Sequence, residues 1–136
     1  MKIKYAMIGF GGIAENRIAK EGFGCDKTRF AGHPLAELVC ATDMNPARKK
    51  AAKALGLKWA DSVDDILADK SIDAVYIATN NASHAELAIR ALKARKHVMV
   101  EKPMATSSED ARQMNMLARQ YKLSLPVDHM MVYNGY

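Results

Sequence analysis

The stretch MIGFGGIAENR, residues 7–17, carries three glycines within four positions, between an apolar run and a stretch of helix-forming residues. Glycine inside a strand or helix costs roughly 0.5–1 kcal/mol relative to alanine. Glycines this close together therefore indicate a sharp turn of the chain, or a ligand that approaches bare backbone. The residues before the turn, 3–8, predict a strand, and residues 12–20 predict a helix.

Strands and helices alternate along the rest of the chain. A Gly-rich stretch at 21–34 is typical of a loop. Further strands are predicted at 36–43, 57–60, 73–79, 97–101 and 123–127. Further helices are predicted at 46–55 (with Asn45 as N-cap, Pro46 in the first turn and Gly56 after the last), at 63–69 after Ser62, at 82–95, and from a Thr106–Glu109 capping box to about Tyr121. Strict alternation predicts an α/β fold, a doubly wound parallel sheet with helices on both faces.

Composition narrows the class of protein. The 136 residues are 49% hydrophobic and 26% charged, which is typical of one globular domain. The net charge of +5 comes from basic residues interspersed with acidic ones, without an arginine-rich arm, so we predict no nucleic-acid partner. We predict neither a signal peptide nor a membrane span. Cys25 and Cys40 have no metal-ligand spacing, so we predict no metal site and two reduced thiols in a cytoplasmic protein.

The glycine turn has the pattern of a dinucleotide site. Gly9, Gly11 and Ala14 form G-x-G-x-x-A between a strand and a helix. Gly9 permits the turn, Gly11 lets a pyrophosphate approach the backbone, and Ala14 lets the helix pack closely on the sheet. The helix start offers free N–H groups to the phosphates, so the cofactor-binding candidates also include Phe10, Gly12 and Ile13. A Gly-rich turn without a ligand is the alternative.

Asp43, at the end of the second strand, is the candidate ribose ligand. A carboxylate there can accept hydrogen bonds from both hydroxyls of an adenosine ribose. Asp43 lies 29 residues beyond Ala14, whereas the usual spacing is about 20, and the 21–34 stretch accounts for the excess. A carboxylate disfavours the extra phosphate of NADP, so we predict NAD, with NADP as the alternative through Arg48, Lys49 or Arg29. An aspartate that only helps to cap the next helix is the other interpretation.

The segment VMVEKPMA, 98–105, completes a resemblance to a known family. With "IGFGGIA", "ATDMNPARKKAAKALG", "IDAVYIAT" and the E-K-P block in this order, nearly the whole chain resembles the N-terminal Rossmann domain of the Gfo/Idh/MocA oxidoreductases. The resemblance implies that Lys102 lies near the nicotinamide and the substrate as the catalytic candidate. It also raises the chance of a cis bond before Pro103. It adds cofactor-binding candidates: Thr79, Asn80, His84, Glu101, Lys102 and Pro103.

The chain departs from the family at three places. Asn80 stands where the family often has proline, "ARKHV" replaces "aGKhV", and 21–34 has no clear counterpart. His84 matches a histidine common in the family, and we expect it to shape its loop by hydrogen bonding. Asp128 and His129 follow the last strand, either at the mouth of the site or as a hinge.

The resemblance implies an NAD(P)-dependent dehydrogenase acting on CH–OH groups of a sugar, polyol or related small molecule. It places residues 1–127 in the dinucleotide-binding domain and 128–136 at the start of the connection to a second, α+β domain. That domain would supply the acid/base residues and a homo-oligomer interface, so the 136 residues alone should bind cofactor without turnover. The alternative is a non-catalytic regulator or sensor on the same fold. A site for S-adenosylmethionine is disfavoured by the E-K-P block.

Overall fold

The computed structural model describes residues 1–128, and its centre is a six-stranded sheet in which every pair of neighbours is parallel. The strand order is β3-β2-β1-β4-β5-β6. The strands are β1 Ile3–Ile8, β2 Ala36–Thr42, β3 Lys58–Trp59, β4 Ala74–Ile77, β5 His97–Glu101 and β6 Val127–Asp128. This is the doubly wound order of a Rossmann fold, and it confirms the predicted fold class.

Five helices connect the strands of the described part. They are α1 Ala14–Gly22, α2 Lys49–Ala54, α3 Val63–Ala68, α4 His84–Lys93 and α5 Ser108–Tyr121. Short 3₁₀ turns at Pro46–Arg48 and Asn81–Ser83 lead into α2 and α4. The predicted caps at Asn45 and Ser62 are confirmed, because their side chains accept the backbone N–H of Ala47 and Asp65.

Each face of the sheet has its own apolar core. Residues alternate along β1, so that Ala6 and Ile8 pack with α3, α4 and α5, whereas Met7 packs with α1 and α2. Ile66, Leu92 and Met114 are the largest apolar helix residues that are fully buried on the first face. Both cores include residues of β1 and β4, and the carboxyl ends of these strands form the switch point where such sheets bind ligands.

Two predicted boundaries near the end of the described chain were wrong. The Thr106–Glu109 capping box is displaced by one residue, because the Ser107 hydroxyl accepts the Asp110 N–H at 3.1 Å. The last strand is Val127–Asp128, not 123–127. Before it, the Ser124 and Pro126 carbonyls accept N–H groups of β5, but the Ser124 N–H donates to the side-chain Nδ1 of His97 and Pro126 has no N–H to donate, so no regular ladder forms.

The first helix differs in kind as well as in length. It runs to Gly22 in a π geometry, so that the Phe23 N–H donates to the Ile18 carbonyl five residues back. The wider turn brings Ala14 and Ala19, also five residues apart, to the buried side. Residues 23–34 contain no regular helix or strand, which confirms the loop predicted there apart from its first two residues.

Candidate dinucleotide site

The three glycines of the turn differ in their structural requirements. Gly9 has φ +90°, and a Cβ there would lie 2.5 Å from the Ala78 carbonyl oxygen, so the fold itself requires glycine. A Cβ at Gly11 or Gly12 would meet nothing within 4 Å. The fold therefore gives no steric reason for glycine at these two positions, whereas a ligand close to the backbone would. This open space fits a pyrophosphate against the start of α1.

Asp43 is fixed against the glycine turn. Its Oδ2 accepts the Phe10 N–H at 2.7 Å, and its Oδ1 accepts the Asn45 N–H at 2.8 Å. Each carboxylate oxygen retains a further lone pair for a ribose hydroxyl. The two backbone donors thus orient the carboxylate at the end of β2 without using all of its acceptor capacity.

Two clefts meet at the turn, and both are lined by Gly11, Ala78 and Thr79. The first, of about 550 Å³, extends toward Asp43 and beyond it. The second, of about 360 Å³, extends toward His84, Glu101 and Lys102. Adjacent clefts on either side of a glycine turn offer one space for each half of a dinucleotide.

The predicted site residues divide between these clefts. Gly9, Asp43 and Asn80 line the first, and Gly12, Ile13 and Ala14 line the second together with His84, Glu101 and Lys102. Phe10 lines neither, because its side chain is fully buried and only its backbone belongs to the turn. Pro103 also lines neither, and contributes its backbone carbonyl to His84.

Sequence reasoning missed the far wall of the first cleft. Met44, Asp61, Ser62, Val63, Leu87 and Arg90 line it. Asp61 and Ser62 follow β3, so they reach the ligand edge of the sheet only because β3 pairs with β2. Only the strand order could have predicted that Asp61 and Ser62 reach the site, because no local motif includes them.

His84 joins the loop after β4 to the E-K-P block. Its side chain is buried, with Nδ1 at 2.8 Å from the Pro103 carbonyl and Nε2 at 3.1 Å from the Thr79 carbonyl. Both ring nitrogens are occupied by backbone, so the geometry favours the predicted shaping role over proton exchange with a ligand. The Lys102–Pro103 bond is cis, the form whose chance the resemblance raised.

Asn80 has a local role that the family's proline cannot fill. Its side-chain oxygen accepts the Ser83 N–H at 3.1 Å, and this bond caps the 3₁₀ turn before α4. Ser83 also shares a 2.6 Å hydroxyl contact with Thr79. Asn80 therefore caps a turn that holds Thr79 at the junction of the clefts.

Lys102 and Glu101 differ in the contacts that their side chains make. Lys102 is exposed and forms no ion pair within residues 1–128. The Tyr76 hydroxyl shares its proton between Glu101 Oε1 at 2.8 Å and Asp128 Oδ2 at 2.6 Å. Burial, together with these hydrogen bonds to Asp128 and Glu101, raises the pKa of Tyr76 above its usual range. Glu101 is thus held on the sheet, whereas Lys102 is free to meet a ligand. His129 lies outside the described residues.

The alternative cations for an NADP phosphate, Arg29, Arg48 and Lys49, line neither cleft. The Arg48 Nε donates to the Phe10 carbonyl at 2.6 Å, and the guanidinium also pairs with Glu15. Arg29 lies 5.2 Å from the ring of Phe30, within the 21–34 loop, and lines neither cleft. Lys49 follows the 3₁₀ turn and lines neither cleft.

Within residues 1–128 no three His, Cys, Asp or Glu side chains converge as metal ligands. No helix in this range has the length and apolar character needed to cross a membrane.

The parallel sheet, the open glycine turn and the fixed carboxylate define an NAD-binding Rossmann domain. The chain belongs to the Gfo/Idh/MocA family, whose model, described as "Oxidoreductase family, NAD-binding Rossmann fold", matches residues 3–129. Among curated relatives, it is 32% identical over 120 residues to 1,5-anhydro-D-fructose reductase of Ensifer adhaerens, covering 88% of this chain and 35% of that protein. The chain thus spans about a third of that relative's length.

Solved structures show the same domain with bound cofactor. The WlbA dehydrogenase from Bordetella pertussis, in complex with NADH and UDP-GlcNAcA, superposes with a TM-score of 0.84 at 32% identity, over 99% of this chain and 39% of its own. KijD10, a 3-ketoreductase from Actinomadura kijaniata in complex with NADP and TDP-benzene, gives a TM-score of 0.84 at 27% identity, over 98% and 39%. Both forms of the cofactor therefore occur among proteins similar to this one.

Proposed function

We propose that this domain serves an NAD(P)-dependent oxidoreductase that transfers a hydride between nicotinamide and a carbinol or carbonyl carbon of a sugar, polyol or related small molecule. The observation that carries the proposal is the junction of two clefts at Gly11, with open space over its backbone and Lys102 on the wall of the second. The similarity to a sugar reductase supports the substrate class.

The turn and Asp43 would bind the shared parts of the cofactor. Backbone N–H groups from Gly11 onward would donate to the pyrophosphate, and the positive end of α1 would favour its charge. Asp43 would accept the ribose hydroxyls with a carboxylate that is already oriented. Because the protein orders these groups before binding, little conformational entropy is lost when the ligand arrives.

The second cleft would hold the reacting end. A bound nicotinamide supplies the hydride chemistry. Lys102 would donate a charged hydrogen bond to the substrate oxygen, which gains negative charge when its carbonyl is reduced. His84 would keep Lys102 in place indirectly, through its contact with the Pro103 carbonyl.

We propose NAD over NADP. The Asp43 carboxylate would meet the 2′-phosphate as a like charge, and Arg48 already donates to Phe10 and pairs with Glu15. Dissociation constants of the 136-residue chain for both cofactors, measured at one ionic strength, test the preference. NADP binding more tightly than NAD would refute it.

The activity is tested on the full-length protein. A panel of sugars and polyols is incubated with NAD or NADP, and the absorbance of reduced nicotinamide is followed, with Lys102→Met as the matched variant. The proposal expects turnover with at least one compound and its loss in the variant. Cofactor binding without turnover on any compound would favour the regulator or sensor. The cytoplasmic location and the homo-oligomer remain predictions.

A further inference from the structure

Arg48 is the side chain whose role the proposed function leaves open. Its Nε donates to the Phe10 carbonyl at 2.6 Å, and its guanidinium carbon lies 5.9 Å from the centre of the Phe10 ring. A second nitrogen pairs with Glu15, which also pairs with Lys20 at 2.9 Å. Only 27% of the Arg48 side chain and 18% of the Glu15 side chain are exposed. Arg48 is therefore held at both of its contacts, with its guanidinium turned to the glycine turn.

The Phe10 carbonyl shares a peptide plane with the Gly11 N–H. In a trans peptide the C=O and the N–H point in opposite directions, and rotating one rotates the other. Within residues 1–128 the Gly11 N–H finds no acceptor, and the space over Gly11 is open. Because the Arg48 guanidinium holds the Phe10 oxygen on one side of the peptide, the Gly11 N–H points to the opposite side.

The preceding peptide is held in the same way. Asp43 Oδ2 accepts the Phe10 N–H at 2.7 Å, so the two polar groups of Phe10 are fixed by side chains from the end of β2 and the start of the following helical segment. The Phe10 side chain is fully buried and anchors the residue between them. Without Arg48, the Phe10 carbonyl would lose its side-chain donor, and only the Phe10 N–H would still be held, by Asp43.

We propose that Arg48 is a positioning residue of the dinucleotide site: by holding the Phe10 carbonyl, it fixes the Gly11 N–H toward the pyrophosphate. Glu15 fixes Arg48 in turn. The ligand in this inference rests on the proposed function. The role differs from that of an arginine that meets a 2′-phosphate, because the pyrophosphate is common to NAD and NADP whereas the 2′-phosphate is not.

The test compares four variants of the 136-residue chain by calorimetric titration with NAD and with NADP. Arg48→Gln should weaken both by the same factor, at most roughly tenfold to 100-fold, which is the full value of the charge-assisted hydrogen bond that orients the peptide. Arg48→Lys should recover part of the loss. Lys50→Gln removes the same charge from an exposed neighbour that lines neither cleft, and should change either affinity less than twofold. The double variant Glu15→Gln/Arg48→Gln should lose no more affinity than Arg48→Gln alone.

Thermal unfolding of each variant shows whether a loss of affinity reflects a lost positioning contact or a chain that no longer folds. Unchanged NAD affinity in a folded Arg48→Gln chain would overturn the inference, and so would a loss confined to NADP. A wild-type chain that bound neither dinucleotide would overturn it too. Failure of the substrate panel with intact NAD binding would instead refute the oxidoreductase proposal and leave the role of Arg48 standing.

Discussion

A pair of alanine substitutions separates the glycine that the fold requires from the glycine that the ligand requires. At Gly9, a Cβ would lie 2.5 Å from backbone oxygen at a φ of +90°. The left-handed conformation costs roughly 1–2 kcal/mol for a residue with a Cβ, and overpacking adds about 1–3 kcal/mol. Gly9→Ala should therefore lower the free energy of unfolding by about 2–5 kcal/mol.

Gly11→Ala should behave in the opposite way. Its Cβ enters open space, and alanine restricts the unfolded chain, so the free energy of unfolding should fall little or rise by about 0.4–1 kcal/mol. The methyl group then occupies the space proposed for the pyrophosphate. We expect the affinity for NAD to fall by tenfold or more, and Gly11→Val should abolish binding.

Urea unfolding gives the stability of both variants, and calorimetric titration gives their affinity for NAD. Gly12→Ala serves as an internal comparison, because a Cβ there also meets nothing within 4 Å. A stable Gly11→Val chain that bound NAD as tightly as wild type would refute the assignment of the turn. A fully stable Gly9→Ala chain would refute the steric argument.

Three other predictions follow from single side chains. In the full-length protein, Lys102→Met should retain cofactor affinity and lower turnover by about 10²-fold, as the loss of a charged donor to a developing oxyanion does; turnover within a few-fold of wild type would make Lys102 structural. Lys96→Met should lower the free energy of unfolding by about 1–3 kcal/mol in urea, since the buried Lys96 ammonium donates to the Asp69 and Ile72 carbonyls at 2.6 and 2.7 Å and these would lose their donor; an unchanged unfolding midpoint would contradict this. Because the pKa of Tyr76 is higher in the folded than in the unfolded state, its protonated hydroxyl contributes stability fully below about pH 10, the usual pKa of tyrosine. This contribution is lost as the pH rises toward the folded-state pKa, so Tyr76→Phe should flatten the alkaline loss of stability. Superimposable pH profiles of the two proteins would contradict this.

The sequence predicted correctly the features that depend only on neighbouring residues, such as helix caps. Asn45 and Ser62 cap their helices because an N-cap needs only a short polar side chain before the first turn. The error at Thr106 has the same origin. Ser107 and Asp110 offer the same spacing one residue later, so the local sequence does not distinguish the two caps.

The glycine turn and the E-K-P block were predictable because their residue types have few alternatives. Gly9 reflects a backbone requirement that the sequence states directly, whereas for the Lys102–Pro103 bond the family resemblance only raised the chance of a cis form. The far wall of the first cleft was not predictable in this way. Asp61 and Arg90 become neighbours of the cleft through strand order and helix packing, which are long-range properties.

Arg95 shows how a departure from a family pattern is accommodated. It stands where the family has glycine, and it has the left-handed φ of 64° for which glycine is favoured. Its guanidinium carbon lies 3.7 Å from the centre of the Tyr121 ring, a cation–π contact that offsets part of the backbone cost. The sequence shows the replacement, but the compensating partner is 26 residues away and belongs to another helix.

A crystal structure of the chain with bound NAD tests the central claim most directly. We predict that the pyrophosphate lies within hydrogen-bonding distance of the Gly11 N–H, that both adenosine ribose hydroxyls donate to Asp43, and that the nicotinamide lies in the cleft with Lys102. A dinucleotide bound away from Gly11, or a pyrophosphate contacted by the Arg48 guanidinium in place of the backbone, would contradict the account.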